Sequence, residues 1–206
     1  MNSEILGSMY EYGVWANERL FAQAATLTDE QRGRRWSQGY DSIHQTFLHL
    51  LGADRRWSAR WKEETLPPMA TLQEFPTLDA IREGWGPLVA ERRRYLAGLT
   101  EEGLRHVIKG RTLDGQTFEL ARWQGILQCA NHATQHRSEI AAMLTDAGHS
   151  PGDLDYALRR KPPSPARQVR RRARPGRAPV WRSRFFTRTP LTATYGIPSG
   201  CWRGFS

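Results

Sequence analysis

Residues 127–144 read LQCANHATQHRSEIAAML, and they place His132 and His136 four positions apart within one long helix-forming segment. The segment runs from about residue 122 to residue 147 and is ended by Gly148, a residue type favoured just past a helix C-terminus. On a helix, residues four apart lie about 40° apart around the axis and one turn apart along it. Both imidazoles can therefore reach one metal ion. Two such histidines are equally typical of an ordinary half-buried helix face, so a metal site needs a third ligand from another segment.

Three more helices are predicted upstream, because helix formers recur at helical spacing between polar or Gly/Pro-containing breaks. The first spans about residues 4–25. The second spans about residues 42–62 and begins with a capping box, in which Ser42 is the N-cap and Gln45 follows three residues later. The third spans about residues 77–99, and two consecutive prolines separate it from the second.

A short β-hairpin is predicted between the third and the last helix. Residues 104–121 contain β-branched side chains around an Asp114-Gly115 turn signal. The expected fold is therefore an all-α four-helix bundle with one short hairpin before the last helix.

The composition of the chain changes after Leu158. Residues 1–158 hold 17 of the 30 Lys and Arg residues and all 21 Asp and Glu residues, a net charge of −4, whereas residues 159–206 hold 13 basic residues and no acidic one. The second segment is rich in Arg, Pro and Gly, and it cannot bury enough apolar surface to offset the entropy lost on ordering. We therefore expect a bundle domain at residues 1–158 and a disordered basic tail at residues 159–206.

The basic tail suggests a nucleic-acid-binding arm, because clustered arginines neutralise phosphates and aromatic side chains stack on bases. A nonspecific tail, or even a shifted reading frame, explains the same composition, and the sequence favours that interpretation. Nucleic acid is thus only weakly indicated as a partner.

The sequence also bears on the cellular compartment in which the protein is expected. It contains no apolar run of about 18 residues, and its N-terminus lacks a basic region followed by an apolar one. Cys129 and Cys201 stand in very different contexts, which argues against a disulfide framework and fits a reducing compartment. We expect a cytoplasmic protein with no membrane partner.

The second predicted helix offers two candidates for a third ligand, His44 and His49. They stand five residues apart and so point to different faces. His49 lies closer to the apolar side, whereas His44 lies in the first turn, where we expect exposure. We therefore select His49, with a core histidine satisfied by a hydrogen bond as the alternative. His106 and His149 fall in predicted hairpin and loop positions, where we expect them to be solvated.

Cys129 shares a helical stripe with His132 and His136, because the three have i, i+3, i+7 spacing. A thiolate ligand there would favour zinc and close the coordination sphere, as in structural sites. We favour a core position instead, since free cysteine is among the most buried residue types. Arg137 and Glu139 could orient a ligand or bind an anionic group, but such charges more often form a solvated helix edge.

Five stretches of the chain resemble the DinB family within the DinB/YfiT-like superfamily. They are YGVWANERL at 12–20, DSIHQTFLHLLGADRRW at 41–57, RTLDGQTFEL at 111–120, LQCANHATQHRSEIAAML at 127–144 and GHSPGDLDYALR at 148–159. The resemblance covers about residues 4–158 and implies a four-helix bundle, often a homodimer, whose metal is held by one histidine of the second helix and two of the last. Those ligands fall on His49, His132 and His136.

The resemblance implies a function only in outline. Some members of the superfamily are implicated in transfer or isomerisation reactions that use low-molecular-weight thiols, with zinc or nickel proposed at the site, and many have no assigned reaction. Here Gln128 stands where a further histidine is frequent, and Ser138 replaces a frequent glycine, although neither change removes a ligand. The leading hypothesis is a metal-dependent enzyme, a thiol transferase rather than a hydrolase. A stress- or damage-associated metal-binding protein without turnover is the alternative, and the sequence indicates neither the catalytic residues nor the substrate.

Overall fold

A computed structural model of the protein describes residues 2–36, 41–112 and 115–159. Within these residues the chain forms α-helices, a two-stranded antiparallel sheet and a short 3-10 helix at Tyr156–Leu158. The α-helices are α1 (Ser3–Ala24), α2 (Asp29–Gly33), α3 (Ile43–Lys62), α4 (Leu78–Ala97), α5 (Glu101–Arg105) and α6 (Arg122–Asp146). The four long ones pack in the cyclic order α1, α6, α3, α4, which confirms the predicted bundle.

The starts of α3 and α4 follow their capping residues. The Ser42 hydroxyl accepts the backbone N–H of Gln45 at 3.2 Å, at the start of α3. The Thr77 hydroxyl accepts the backbone N–H of Ala80 at 3.1 Å, at the start of α4. Each bond satisfies one of the backbone donors that the first turn of a helix leaves unpaired. The predicted starts of both helices are therefore confirmed.

The predicted hairpin is present as well, and it covers one end of the bundle. β1 (Val107–Arg111) pairs with β2 (Thr117–Ala121) in antiparallel register. Ile108 is fully buried and packs against α6 at Gly125. Glycine leaves space for it there, because a Cβ at this position would lie only 3.1 Å from the Ile108 Cδ1. Gly115, in the connecting turn, has a φ of 88°, a left-handed conformation that glycine adopts without steric cost.

Two short helices, α2 and α5, were not predicted from the sequence. Each begins at a threonine whose hydroxyl accepts a backbone N–H: Thr28 from Gln31 at 3.2 Å and Thr100 from Gly103 at 3.0 Å. Segments of five residues are too short to form helices through propensity alone, so their caps and their attachment to the bundle stabilise them.

Two apolar clusters fill the interior of the bundle. In one, the rings of Phe21 and Phe47 stack with their centroids 4.1 Å apart, and Trp85 meets Phe21 edge-on. The other lies under the hairpin and is built around Trp57 and Trp61, which are 2% and 1% exposed. Aromatic side chains remove about 150–250 Å² each from water, so these rings dominate the hydrophobic stabilisation of the bundle.

No helix of the described ranges is both long enough and apolar enough to cross a membrane. Arg159, the first residue of the predicted tail, donates from Nη1 to the Ser8 carbonyl at 3.3 Å. Asp114 of the predicted turn and residues 160–206 of the predicted tail lie outside the described residues. The division into two domains stays a prediction.

Candidate metal centre

His49, His132 and His136 lie together where α3 packs against α6. His49 is 5% exposed and His136 is 7% exposed, whereas His132 is half-buried and reaches solvent. Leu48 on α3 and Ile140 on α6 belong to one apolar cluster, which holds the two helices together at this level. The core of the bundle thus positions the three rings.

The three rings direct nitrogen atoms towards one another. His132 Nε2 lies 3.4 Å from His49 Nε2 and 3.2 Å from His136 Nε2. One nitrogen of each ring lies within 4.8 Å of the other two. Two nitrogens bound to one zinc ion at about 2.0–2.1 Å, with tetrahedral angles, stand about 3.3–3.4 Å apart. The observed separations therefore fit three ligands of one transition-metal ion.

Hydrogen bonds between the rings account poorly for this arrangement. The Nε2 atom of a neutral imidazole offers either one N–H or one lone pair. His132 Nε2 can therefore form a linear hydrogen bond with only one of its two Nε2 neighbours. A cation, by contrast, accepts a lone pair from each ring. Three imidazoles suit zinc or nickel better than calcium or magnesium, which prefer oxygen ligands.

Burial keeps two of these rings neutral. Burial, and then repulsion from the neighbouring imidazoles, lowers the pKa of His49 to about 3. Burial is also the largest cause that lowers the pKa of His132 to about 4; His136 adds to it, and the carboxylates of Asp54 and Glu139 oppose it. Because a metal ion binds the deprotonated ring, neither histidine has to lose a proton near neutral pH before it binds.

Glu139 lies directly behind His136. Its Oε2 accepts a hydrogen bond from His136 Nδ1 at 2.7 Å. A carboxylate only accepts, so Nδ1 carries the hydrogen and the Nε2 lone pair faces the other two rings. The expected solvated helix edge was wrong for this residue, and it was also wrong for Arg137, which is 4% exposed. Glu139 is half-buried and Arg137 is buried, because α6 packs against neighbours on two sides.

His44 does not join the group. It is half-buried rather than exposed, so that expectation was wrong. Burial lowers its pKa, and its ring hydrogen-bonds the backbone of Phe75, in the segment that precedes α4. The selection of His49 over His44 as the residue near the α6 histidines therefore agrees with the fold.

His106 and His149 also lie away from the group. His106 is exposed, as expected, and its Nε2 lies 2.9 Å from Glu63 Oε2. His149 is half-buried rather than solvated, and its Nδ1 lies 2.6 Å from the Thr26 hydroxyl. Among the described residues, neither ring belongs to a group of three possible metal ligands.

Cys129 is buried in the bundle, as expected, and is not part of the histidine group. Its thiol donates to Asp54 Oδ1 at 3.2 Å. Arg92 pairs with the same oxygen at 3.1 Å, and Trp85 Nε1 donates to Asp54 Oδ2 at 2.9 Å. Burial, followed by the charge of Asp54, raises the pKa of the Cys129 thiol. Cys129 is thus a neutral side chain near neutral pH and a poor candidate for a thiolate ligand.

The buried pair of Asp54 and Arg92 was not predicted. Both residues stand in charged runs, GADRR at 52–56 and ERRR at 91–94, which are typical of solvated helix faces. One signal was available, since Asp54 lies one turn after Leu50 on the apolar face of its helix.

Two comparisons with known proteins match most of this chain. The model of the DinB family matches residues 1–167, a range that contains all three histidines. Protein DinB of Bacillus subtilis (strain 168) is 26% identical over 161 residues, which cover 76% of this chain and 94% of that protein.

Proposed function

The chain belongs to the DinB family, and we propose that it binds one divalent metal ion through His49, His132 and His136. Family membership and the three-histidine group fit a metal-binding protein of this family. The observation that carries the proposal is the convergence of three imidazole nitrogens from two packed helices. The all-nitrogen donor set favours zinc or nickel.

We further propose that the bound ion serves an enzymatic reaction, the transfer of a low-molecular-weight thiol to an electrophilic substrate. Among the described residues, no cysteine or carboxylate shares the point where the three rings meet. An ion held by the three imidazoles would leave room for an external thiol and would lower the pKa of that thiol, so that a nucleophile would exist near neutral pH.

The chain's own residues have separate tasks in this reaction. His49 and His136, both buried, exclude water from one side, and the half-buried His132 leaves the other side accessible. Glu139 holds the hydrogen on His136 Nδ1 and so keeps that ring oriented. The thiol sulfur forms the bond to the substrate carbon, the leaving group departs with its bonding electrons, and the thiol proton passes to solvent. We propose that the protein acts in the cytoplasm. Because the resemblance to the DinB family implies a homodimer, we also propose that the chain forms one.

The experiment combines metal analysis with an activity assay on the full chain. The purified protein is loaded with zinc or nickel, and consumption of 1-chloro-2,4-dinitrobenzene is followed with cysteine or glutathione as the thiol. We expect consumption above the uncatalysed rate only when metal and thiol are both present. His132→Ala should abolish it and His106→Ala should not.

Two results would contradict parts of the proposal. A purified protein that binds no divalent metal would overturn the site itself. A fully loaded protein that consumes the electrophile only at the uncatalysed rate, with either thiol, would count against thiol transfer and favour a metal-binding protein without turnover.

A further inference from the structure

The interior of the bundle contains a cavity between α1, α3, α4 and α6. It leaves about 60 Å³ for the centres of water-sized molecules and opens partly to solvent. One water molecule needs only about 10–15 Å³ by this measure, so the cavity has room for a small organic molecule. Its wall is mostly apolar, and Val14, Val89 and Ile126 contribute to it from three helices. None of the three clustered histidines lines it.

Arg137 brings a positive charge to this wall, and no residue of the described ranges forms an ion pair with it. Of its nitrogens, only Nη2 has an acceptor among the described residues, the Thr134 hydroxyl at 2.7 Å. Its Nε is buried without a partner. The Tyr12 ring lies 5.5 Å from the Arg137 Cζ and offsets part of the charge. A guanidinium this deeply buried costs free energy unless an anion pairs with it.

The other charges on the described wall are already paired. Asp54 forms an ion pair with Arg92 at 3.1 Å. Glu18 forms one with Arg82 of α4 at 2.6 Å, and both side chains are exposed. Arg137 is therefore the charge on this wall that lacks an ion pair among the described residues, because Asp54 attracts it only through space and pairs directly with Arg92.

Two residues of α1 support a polar ligand at this point. A Cβ at Gly13 would lie 3.3 Å from Arg137 Nη1, so glycine provides the room that the guanidinium occupies. Asn17 lines the same wall, and its Oδ1 is a buried acceptor without a hydrogen-bond partner among the described residues; turning the side-chain amide over would place its N–H donors at this point for a carboxylate. The wall thus presents unsatisfied polar atoms from two helices, which is typical of a binding site rather than of a packing defect.

We propose that this cavity is a second binding site, separate from the three histidines, for a small molecule that carries a carboxylate on a compact apolar body. The carboxylate pairs with the Arg137 guanidinium, whose planar array of donors matches two carboxylate oxygens. The apolar body lies against Val14, Val89 and Ile126. The proposal does not depend on the metal or on any activity.

The test uses the full chain and two probes of nearly the same shape, butyrate and its neutral analogue butanamide. Methyl NMR signals of Val14, Val89 and Ile126 report on the cavity. At constant ionic strength, butyrate should shift these signals with a saturable dependence on concentration, and butanamide should bind at least about tenfold more weakly. Arg137→Met should weaken butyrate binding by a similar factor.

Arg105→Met is the matched control, because Arg105 is exposed and its loss changes the net charge equally. This variant should bind butyrate as the unmodified chain does. Equal responses to both probes, or no saturable shift of the three methyl signals, would overturn the proposal. Butyrate binding by Arg137→Met with undiminished affinity would also overturn it. If that variant does not fold, the comparison of butyrate with butanamide on the unmodified chain tests the proposal.

Discussion

Glu139 Oε2 lies 2.7 Å from Nδ1 of His136, one turn earlier on α6, and accepts its hydrogen. The bond orients the imidazole and leaves its Nε2 lone pair for a metal ion. Partners of this kind typically contribute 10–100-fold to metal affinity. We therefore expect Glu139→Ala to weaken zinc binding about tenfold or more in a competition titration with a chromogenic chelator. Glu119→Ala, on the exposed hairpin, is the control and should leave the affinity unchanged.

Single alanine substitutions of the six histidines test the metal site directly. His49→Ala, His132→Ala and His136→Ala should each lower zinc or nickel affinity sharply, because each removes one of three ligands. Alanine at His44, His106 or His149 should leave metal content near that of the unmodified chain, since those rings lie elsewhere. Metal content by mass spectrometry measures the outcome. Normal binding by all six variants would eliminate the site.

The stability of the metal-free protein should depend on pH between about 6.5 and 3. In the unfolded chain a histidine takes up a proton near pH 6.5, whereas burial lowers the pKa of His132 to about 4 and that of His49 to about 3. The unfolded state therefore binds more protons as the pH falls through this window, and the folded state loses stability. At about pH 5 the loss should be on the order of 2 kcal/mol for each ring.

Urea unfolding of the metal-free chain at a series of pH values measures this dependence. His132→Gln should unfold with a shallower dependence on pH, because it removes one of the two titrating rings. Equal slopes for the variant and the unmodified chain would contradict the neutral state of His132 in the folded protein.

The buried ion pair of Asp54 and Arg92 predicts a large effect on stability. Asp54→Asn removes the counter-ion of an arginine that is 1% exposed. Breaking a buried pair from one side typically costs about 3–5 kcal/mol. Glu11→Gln breaks the exposed pair with Arg93 and should cost at most about 1 kcal/mol. Chemical denaturation measures the free energy of unfolding of both variants. Equal losses of stability would contradict a buried Arg92 charge that depends on Asp54.

Two glycines in helices should respond to alanine with opposite signs. A Cβ at Gly52 would lie 2.9 Å from the backbone nitrogen of Ala70, so Gly52→Ala should destabilise the protein by about 1–3 kcal/mol. No atom of the described residues lies within 4 Å of a Cβ at Gly7. Gly7→Ala should stabilise the protein by up to about 1 kcal/mol, because alanine loses less backbone entropy in a helix. Melting temperatures of the two variants would show the difference. A stabilising effect of Gly52→Ala would mean that the backbone around Ala70 shifts to make room for the added Cβ.

Much of the fold could be predicted from the sequence, since it depends on local spacing. Ser42 and Thr77 cap helices because their hydroxyls accept N–H groups three residues later, whatever the rest of the chain does. His132 and His136 share a face by helical geometry alone. Even the selection of His49 over His44 followed from the apolar side of one helix.

Tertiary structure alone decided which charged side chains are buried. Arg92 and Arg137 stand in sequence contexts that resemble those of solvated arginines, yet both lie inside the bundle. Helical periodicity assigns a residue to a face, but the environment of that face depends on which helix packs against it and how closely. The charge of Arg137, which forms no ion pair among the described residues, therefore became visible only when α1, α3 and α4 were assembled around α6, because burial and counter-ions are properties of neighbours distant in sequence.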